Sequence, residues 1–134
     1  MQLSKNFSKA ELCKSQTATR MGLNNNPTDD QTENLRLLCE RVLQPVRDHF
    51  NQVVTISSGF RDPILSVKIG SSIDSQHCKG EAADLEIFNV ANNELADWIK
   101  ENLMFDQLIL EYFEPGQPNS GWVHVSYTKE INAN

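Results

Sequence analysis

The sequence predicts an α+β fold, in which N-terminal helices pack on a mainly antiparallel sheet that carries one inserted helix. Three observations lead there. Leu35, Leu38, Val42 and Val46 recur at helical spacing, the mark of an apolar helix face turned to a core. A β-branched run, Val53-Val54-Thr55-Ile56-Ser57, opens a second half rich in strand-like segments. One helical stretch, Asn92 to Asn102, interrupts those segments. Helices grouped ahead of strands suit an α+β arrangement better than alternating βαβ units. A length of 134 residues predicts one domain, 1–134, large enough for a hydrophobic core of its own.

Each element has its own signal. Ser8-Lys9-Ala10-Glu11 reads as a capping box opening a short helix that fades near Thr17. Gly22 to Pro27 is a polar loop, and Pro27-Thr28-Asp29-Asp30 starts a long helix with acidic residues at its favourable end. Pro45 bends that helix or restarts it as a last turn toward Phe50. His49, near that end, reads as a helix-terminal or surface polar residue. Ser58 to Pro63 is a turn after the first strand, and residues 64–70 form a short helix ended by Gly70. Ala82 to Phe88 is the second strand. In the following helix Leu95, Trp98 and Ile99 share the inner face. Gln107 to Phe113 is the third strand, Glu114 to Gly121 a hairpin loop with two prolines and two glycines, and Trp122 to Tyr127 the fourth strand.

Composition narrows the function classes. A net charge of −6 argues against nucleic acid, whose binders normally carry a basic face. No apolar run approaches the roughly 18 residues that span a membrane, so no membrane insertion is expected. The N-terminus lacks an apolar signal-peptide core, so synthesis in the cytoplasm is expected. Cys13, Cys39 and Cys78 are odd in number and lack CxxC spacing, which fits free thiols in a reducing compartment.

The chemistry concentrates in Ser75-Gln76-His77-Cys78-Lys79-Gly80-Glu81-Ala82-Ala83-Asp84 and in Trp122-Val123-His124-Val125-Ser126. His77 and Asp84 would lie about 10 Å apart on one helix, too far to share an ion. A turn through Lys79-Gly80 would instead fold His77 back beside the strand of Asp84, with Gly80 supplying the backbone freedom. Strand alternation puts Trp122 and Ser126 on the face of His124. If that strand neighbours the Asp84 strand, three potential ligands converge. A lone strand histidine is ordinarily a packed, hydrogen-bonded residue, whereas a carboxylate between Ala83 and Leu85 needs a partner or a metal. On the residues alone both readings stand. Adjacent side chains diverge, so Cys78 reads as a buried bystander thiol rather than a ligand.

Ser75-x-His77-x-x-Gly80-x-Ala82-x-Asp84, followed by Trp122-Val123-His124, resembles the signature of the zinc D-alanyl-D-alanine metallopeptidases. That group includes phage endolysins and carboxypeptidases and shares its fold with the hedgehog signalling domain. Ser57-Ser58-Gly59-Phe60-Arg61 also resembles the segment ahead of the first ligand, so the similarity runs from about Val53 to Tyr127. The resemblance implies one zinc ion held by His77, Asp84 and His124, a set that suits other divalent metals too. It further implies that Arg61 binds substrate and stabilises the developing oxyanion, and that Ser75 contacts substrate near the metal. The plain alternatives are an Arg61 paired with Asp62 and a Ser75 that caps a turn.

Several members of that family place a Glu or His three residues before the last ligand, where this chain has Gly121. Glu111 is the best substitute as general base. It ends the apolar run Leu108-Ile109-Leu110, the expected hairpin partner of the His124 strand. Glu81, in the motif turn, and Glu86, with the strand parity of Asp84, are weaker candidates. Trp122 would line the cleft or pack at its edge.

The expected activity is therefore hydrolysis of peptide bonds in peptidoglycan stem peptides, by a D-Ala-D-Ala carboxypeptidase or an L-Ala-D-Glu-type endopeptidase. It would be a monomer acting on the cell wall in phage lysis or wall remodelling. The alternative is a metal-stabilised, non-catalytic binding module of the same fold, for which Gly121 is the main argument. A plain α+β domain without metal is a third reading.

Overall fold

A computed structural model describes residues 1–133. The architecture is α+β as expected, with helices leading into an antiparallel sheet. The chain opens with a small antiparallel pair, β1 (Gln2–Ser4) and β2 (Phe7–Ser8), which buries Leu3 and Phe7. Elements this short show no periodicity and leave no signal in the sequence.

The single early helix resolves into two, α1 (Lys9–Cys13) and α2 (Gln16–Met21). Ser8 caps α1 as anticipated, its hydroxyl accepting from the Glu11 N–H. Ser15 breaks the run, because its hydroxyl accepts from the Ala18 N–H and caps a new helix. Helix α3 (Asp29–Leu38) starts with a full capping box between Thr28 and Gln31. It passes through one wide π turn, Cys39–Leu43, into α4 (Gln44–Phe50). Pro45 thus falls in the first turn of α4, directly after the π turn, which widens the helix where the proline supplies no N–H. Leu35, Leu38, Val42 and Val46 are all fully buried, the stripe their spacing predicts.

Four strands form the main sheet: β3 (Val54–Ser58), β4 (Ala82–Ile87), β5 (Leu108–Glu111) and β6 (Trp122–Ser126). Their spatial order is β3-β4-β6-β5 and every pairing is antiparallel. Helix α5 (Pro63–Lys68) follows β3, and α6 (Asn92–Asn102) is the inserted helix between β4 and β5. Strand β5 is shorter than expected because Tyr112 turns to φ 53° and ends the ladder. Leu85, Ile87, Val123 and Val125 are buried on the sheet face that meets the helices. Full burial of each such side chain is worth about 1.5–3 kcal/mol. Leu95 and Ile99 of α6 join that core, while Trp98 is half-buried and stacks on exposed His49 with ring centres 4.3 Å apart. The alternation that buries these residues turns Asp84, His124 and Trp122 to the opposite face.

Candidate metal centre

A single turn of 3₁₀ helix, Gln76–Lys79, carries His77, and Gly80 reverses the chain at φ 76° into β4. A Cβ at Gly80 would lie 2.4 Å from the Gln31 carbonyl oxygen, so glycine serves both the turn and the close approach to α3. Helix α3 grips the loop through its backbone. Gln31 Nε2 donates to the Cys78 carbonyl at 3.2 Å and Asn34 Nδ2 to the Lys79 carbonyl at 2.9 Å. Ser75 Oγ accepts from the His77 N–H at 3.2 Å, so it caps the turn that presents His77.

Asp84 and His124 are directly opposed across β4 and β6. His124 Nδ1 stands 2.9 Å from Asp84 Oδ1, and His77 Nε2 stands 3.5 Å from the same oxygen. One ligand atom from each of the three residues lies within 4.8 Å of the others, and together they could hold a metal ion. Zinc bonds of about 2.0–2.1 Å at tetrahedral angles put ligand atoms about 3.4 Å apart, so the observed spacing suits such an ion. The hydrogen bonding suits it too. His77 Nδ1–H donates to the Gly59 carbonyl at 2.8 Å. In the neutral ring this leaves the Nε2 lone pair aimed at a carboxylate, an approach that only a shared proton or a cation makes favourable. Burial pushes the Asp84 carboxyl up, but hydrogen bonds to His124 and His77 and the attraction of both rings bring it to about 2, below its ordinary 3.8. Asp84 is therefore ionised at neutral pH, as a metal ligand must be.

The other sequence candidates fall at different distances from this triad. Arg61 does not pair with Asp62. Its Nη1 donates to Ser71 Oγ and its Nη2 to Ser58 Oγ, both at 3.2 Å, while Asp62 caps α5. Ser58 is the strand partner of Asp84, so this guanidinium lies beside the metal face. Glu111 pairs with Trp122, and Ile109 with His124, so Glu111 sits diagonally from His124 on the same face. Diagonal neighbours are about 7–8 Å apart, a span that a glutamate and one water can bridge. Glu111 is half-buried and outside the ligand cluster. Glu86 shares the face but is 3.3 Å from Asn92 Nδ2, which donates to it. Burial pushes the Glu81 carboxyl up, with Lys79 opposing, and Glu81 lies outside the cluster. Cys78 is buried and is no member of it, its thiol facing the Ser72 carbonyl. The Trp122 ring packs against exposed Tyr112, with centres 5.3 Å apart.

Gly121 takes φ 65°, and a Cβ there would lie 1.8 Å from the Glu111 carbonyl oxygen. No side chain fits that position in this hairpin, so a base three residues before His124 is sterically excluded here.

Some contributors gave no signal in the sequence. Asn25 donates from Nδ2 to the carbonyls of Cys13 and Phe60, at 2.8 and 3.0 Å, and accepts from the Asp62 N–H at 2.7 Å. It clips the α1–α2 junction to the segment that leads into Arg61. The Gly59 carbonyl that orients His77 was equally hidden, because only the folded register brings it there.

The chain matches the Peptidase M15 family over residues 5–126. The match begins well before the Val53–Tyr127 segment that carries the motifs, and takes in the helices that clamp the loop. None of the curated proteins matches the chain. The chain belongs to the Peptidase M15 family, a zinc-dependent group of metallopeptidases.

Proposed function

We propose, from membership of Peptidase M15 and from the convergence of His77, Asp84 and His124, that this protein is a zinc peptidase hydrolysing peptide bonds in peptidoglycan stem peptides. The observation that carries the reading is the shared approach of both rings to Asp84 Oδ1, at 2.9 and 3.5 Å. His77 Nε2, Asp84 Oδ1 and His124 Nδ1 would hold the ion. A zinc ion so held supplies Lewis acidity and lowers the pKa of a water to about 7. Glu111 would be the group that accepts a proton from the attacking water and delivers it to the leaving amine. Arg61, steadied by Ser58 and Ser71, donates to the carbonyl oxygen as it gains charge, a contribution of about 3–4 kcal/mol for one donor. Ser75, whose hydroxyl caps the turn that presents His77, contacts substrate beside the metal in this reading. The cell wall is the proposed place of action, in phage lysis or wall remodelling.

A non-catalytic module is the second reading, favoured by the exclusion of a side chain at Gly121. The two part in one experiment. Zinc-loaded protein is incubated with a defined stem peptide and the new termini are identified by mass spectrometry. A peptidase releases one defined pair of fragments, and Glu111→Gln lowers kcat by about 10²–10⁴-fold while leaving zinc bound. Tight zinc binding without any cleavage favours the module. Cleavage undiminished in Glu111→Gln removes Glu111 as the base and leaves the peptidase reading in place.

A further inference from the structure

Between the α1–α2 junction and the end of β3 lies a cavity of about 530 Å³, within the range of roughly 300–1,000 Å³ usual for ligand sites. One wall is formed by Ser58, Phe60 and Arg61, in the segment that leads to the candidate ligands. That segment touches the candidate ligands twice: the Gly59 carbonyl accepts from His77, and the Arg61 N–H donates to the His77 carbonyl at 3.0 Å. The other wall is the α1–α2 junction, which brings Lys14, Ser15 and Thr17. Ile56, Phe60 and Leu65 give the cavity an apolar part.

The charge of this cavity runs against that of the chain. The protein carries 18 acidic residues and a net charge of −6, yet no residue lining the cavity is acidic. Two cations, Lys14 and Arg61, open onto it. Among the described residues neither forms an ion pair. Uncharged contacts position the Arg61 side chain and the Lys14 main chain, while the Lys14 side chain is exposed and reaches the cavity from its rim. Arg61 is held by two serine hydroxyls. The Lys14 backbone lies between the caps of α1 and α2, with Asn25 bonding the neighbouring Cys13 carbonyl and the Leu12 carbonyl accepting from the Phe60 N–H at 2.7 Å. Two unneutralised cations with hydroxyls and an apolar patch suit a carboxylate borne by a small aliphatic residue.

We propose that this cavity is a carboxylate subsite of the peptidase, in which Lys14 anchors a peptide carboxylate one residue or more from the bond held at the metal, with Arg61 at the boundary. The proposal rests on the peptidase reading and makes Lys14 a specificity-determining residue. A stem peptide offers two sources of such a carboxylate, its C-terminus and the free carboxylate of an internal residue.

The test uses the zinc-loaded protein and three defined peptides: the parent pentapeptide stem ending in D-Ala-D-Ala, which contains both candidate bonds, the same peptide amidated at its C-terminus, and the same peptide amidated at its internal carboxylate. Wild type, Lys14→Ala, Lys14→Arg and, as a control at a distant lysine, Lys5→Ala are compared for kcat and KM. Parent-peptide affinity is measured separately by calorimetry in a Glu111→Gln background. The expected result is a KM about tenfold higher in Lys14→Ala, with kcat changed less than twofold and Lys14→Arg near wild type. One amidation should raise the wild-type KM similarly and add nothing further in Lys14→Ala, which identifies the carboxylate. If Lys14→Ala and both amidations leave KM within twofold, the subsite is overturned while the peptidase stands. If no peptide is cleaved, the peptidase reading falls and calorimetry decides the cavity alone. Weaker binding in Lys14→Ala then supports the subsite, and equal or absent binding overturns it.

Discussion

Replacing Gly80 by alanine tests whether the metal loop owes its position to helix α3. The cost has two parts. Gly80 sits at φ 76°, and a left-handed conformation costs a non-glycine residue about 1–2 kcal/mol. The new Cβ would also stand 2.4 Å from the Gln31 carbonyl oxygen, a backbone atom that cannot swing aside. Relieving that overlap costs about 1–3 kcal/mol, as overpacking generally does. The total, about 2–5 kcal/mol, is a large share of a domain stability of about 5–15 kcal/mol. The relief must come from parting the loop and α3, which stretches the Gln31–Cys78 and Asn34–Lys79 hydrogen bonds and moves His77 with them. Zinc affinity should then fall about 10–100-fold, the usual effect of disturbing the groups that orient a ligand. Urea unfolding of the metal-free protein reads the first effect, and competition with a chromophoric chelator reads the second. Gly116→Ala is the control: it shares a positive φ of 85° but would meet nothing within 4 Å. It should cost about 1–2 kcal/mol and leave zinc binding alone. Equal losses in the two variants, or unchanged zinc affinity in Gly80→Ala, would refute the clamp.

Two further outcomes follow from buried titrating groups. Burial, reinforced by the negative charge of Glu11 and Glu40, pushes the Cys39 thiol from its ordinary 9.0 up to about 12. A raised folded value keeps the thiol protonated and inert at pH 9, and the stability linked to it is lost as pH rises from about 9 toward about 12. Alkylation at pH 9 followed by mass spectrometry should leave Cys39 unmodified in native protein and modify it in urea; equal labelling would contradict this. Asp84 runs the other way. Its folded value is depressed, so its stabilisation is present above its ordinary 3.8 and is lost as pH falls toward about 2. For metal-free protein this is worth about 2 kcal/mol. Urea midpoints between pH 5 and 2 should fall more steeply in wild type than in Asp84→Asn, and parallel curves would remove Asp84 as the source.

The parts of the site that were legible in the sequence are those with a local signature. Asp84 stood out because a carboxylate amid Ala83 and Leu85 demands a partner, and the β4–β6 register supplies His124 directly opposite. The buried stripe of α3 and α4 and the bounds of α6 followed from periodicity alone. What stayed hidden depends on contacts between distant parts of the chain. Asn25 bonds Phe60 across 35 positions and Gln31 bonds Cys78 across 47, and neither interrupts a pattern that would draw notice. Gly121 was legible only as the lack of a base. The fold gives the reason, since the Glu111 carbonyl oxygen fills the space where its Cβ would go.

These hidden contacts share a direction. Leu12, Asn25, Gln31 and Asn34, all from the N-terminal helical half, reach the 59–62 segment and the 77–80 loop mainly through their main-chain groups. The two segments are also tied to each other through the His77 ring and the Arg61 N–H. Backbone clamping leaves the side chains of Arg61 and His77 free to face the metal side, while the serines at 58, 71 and 75 fix their bearings. Such a frame fits catalysis that depends on ligands already in place, because reorganisation at the moment of reaction adds to the barrier. It also assigns a reason for the N-terminal helices that core packing alone does not: they form the outer wall of the cleft, and Lys14 is where that wall carries charge.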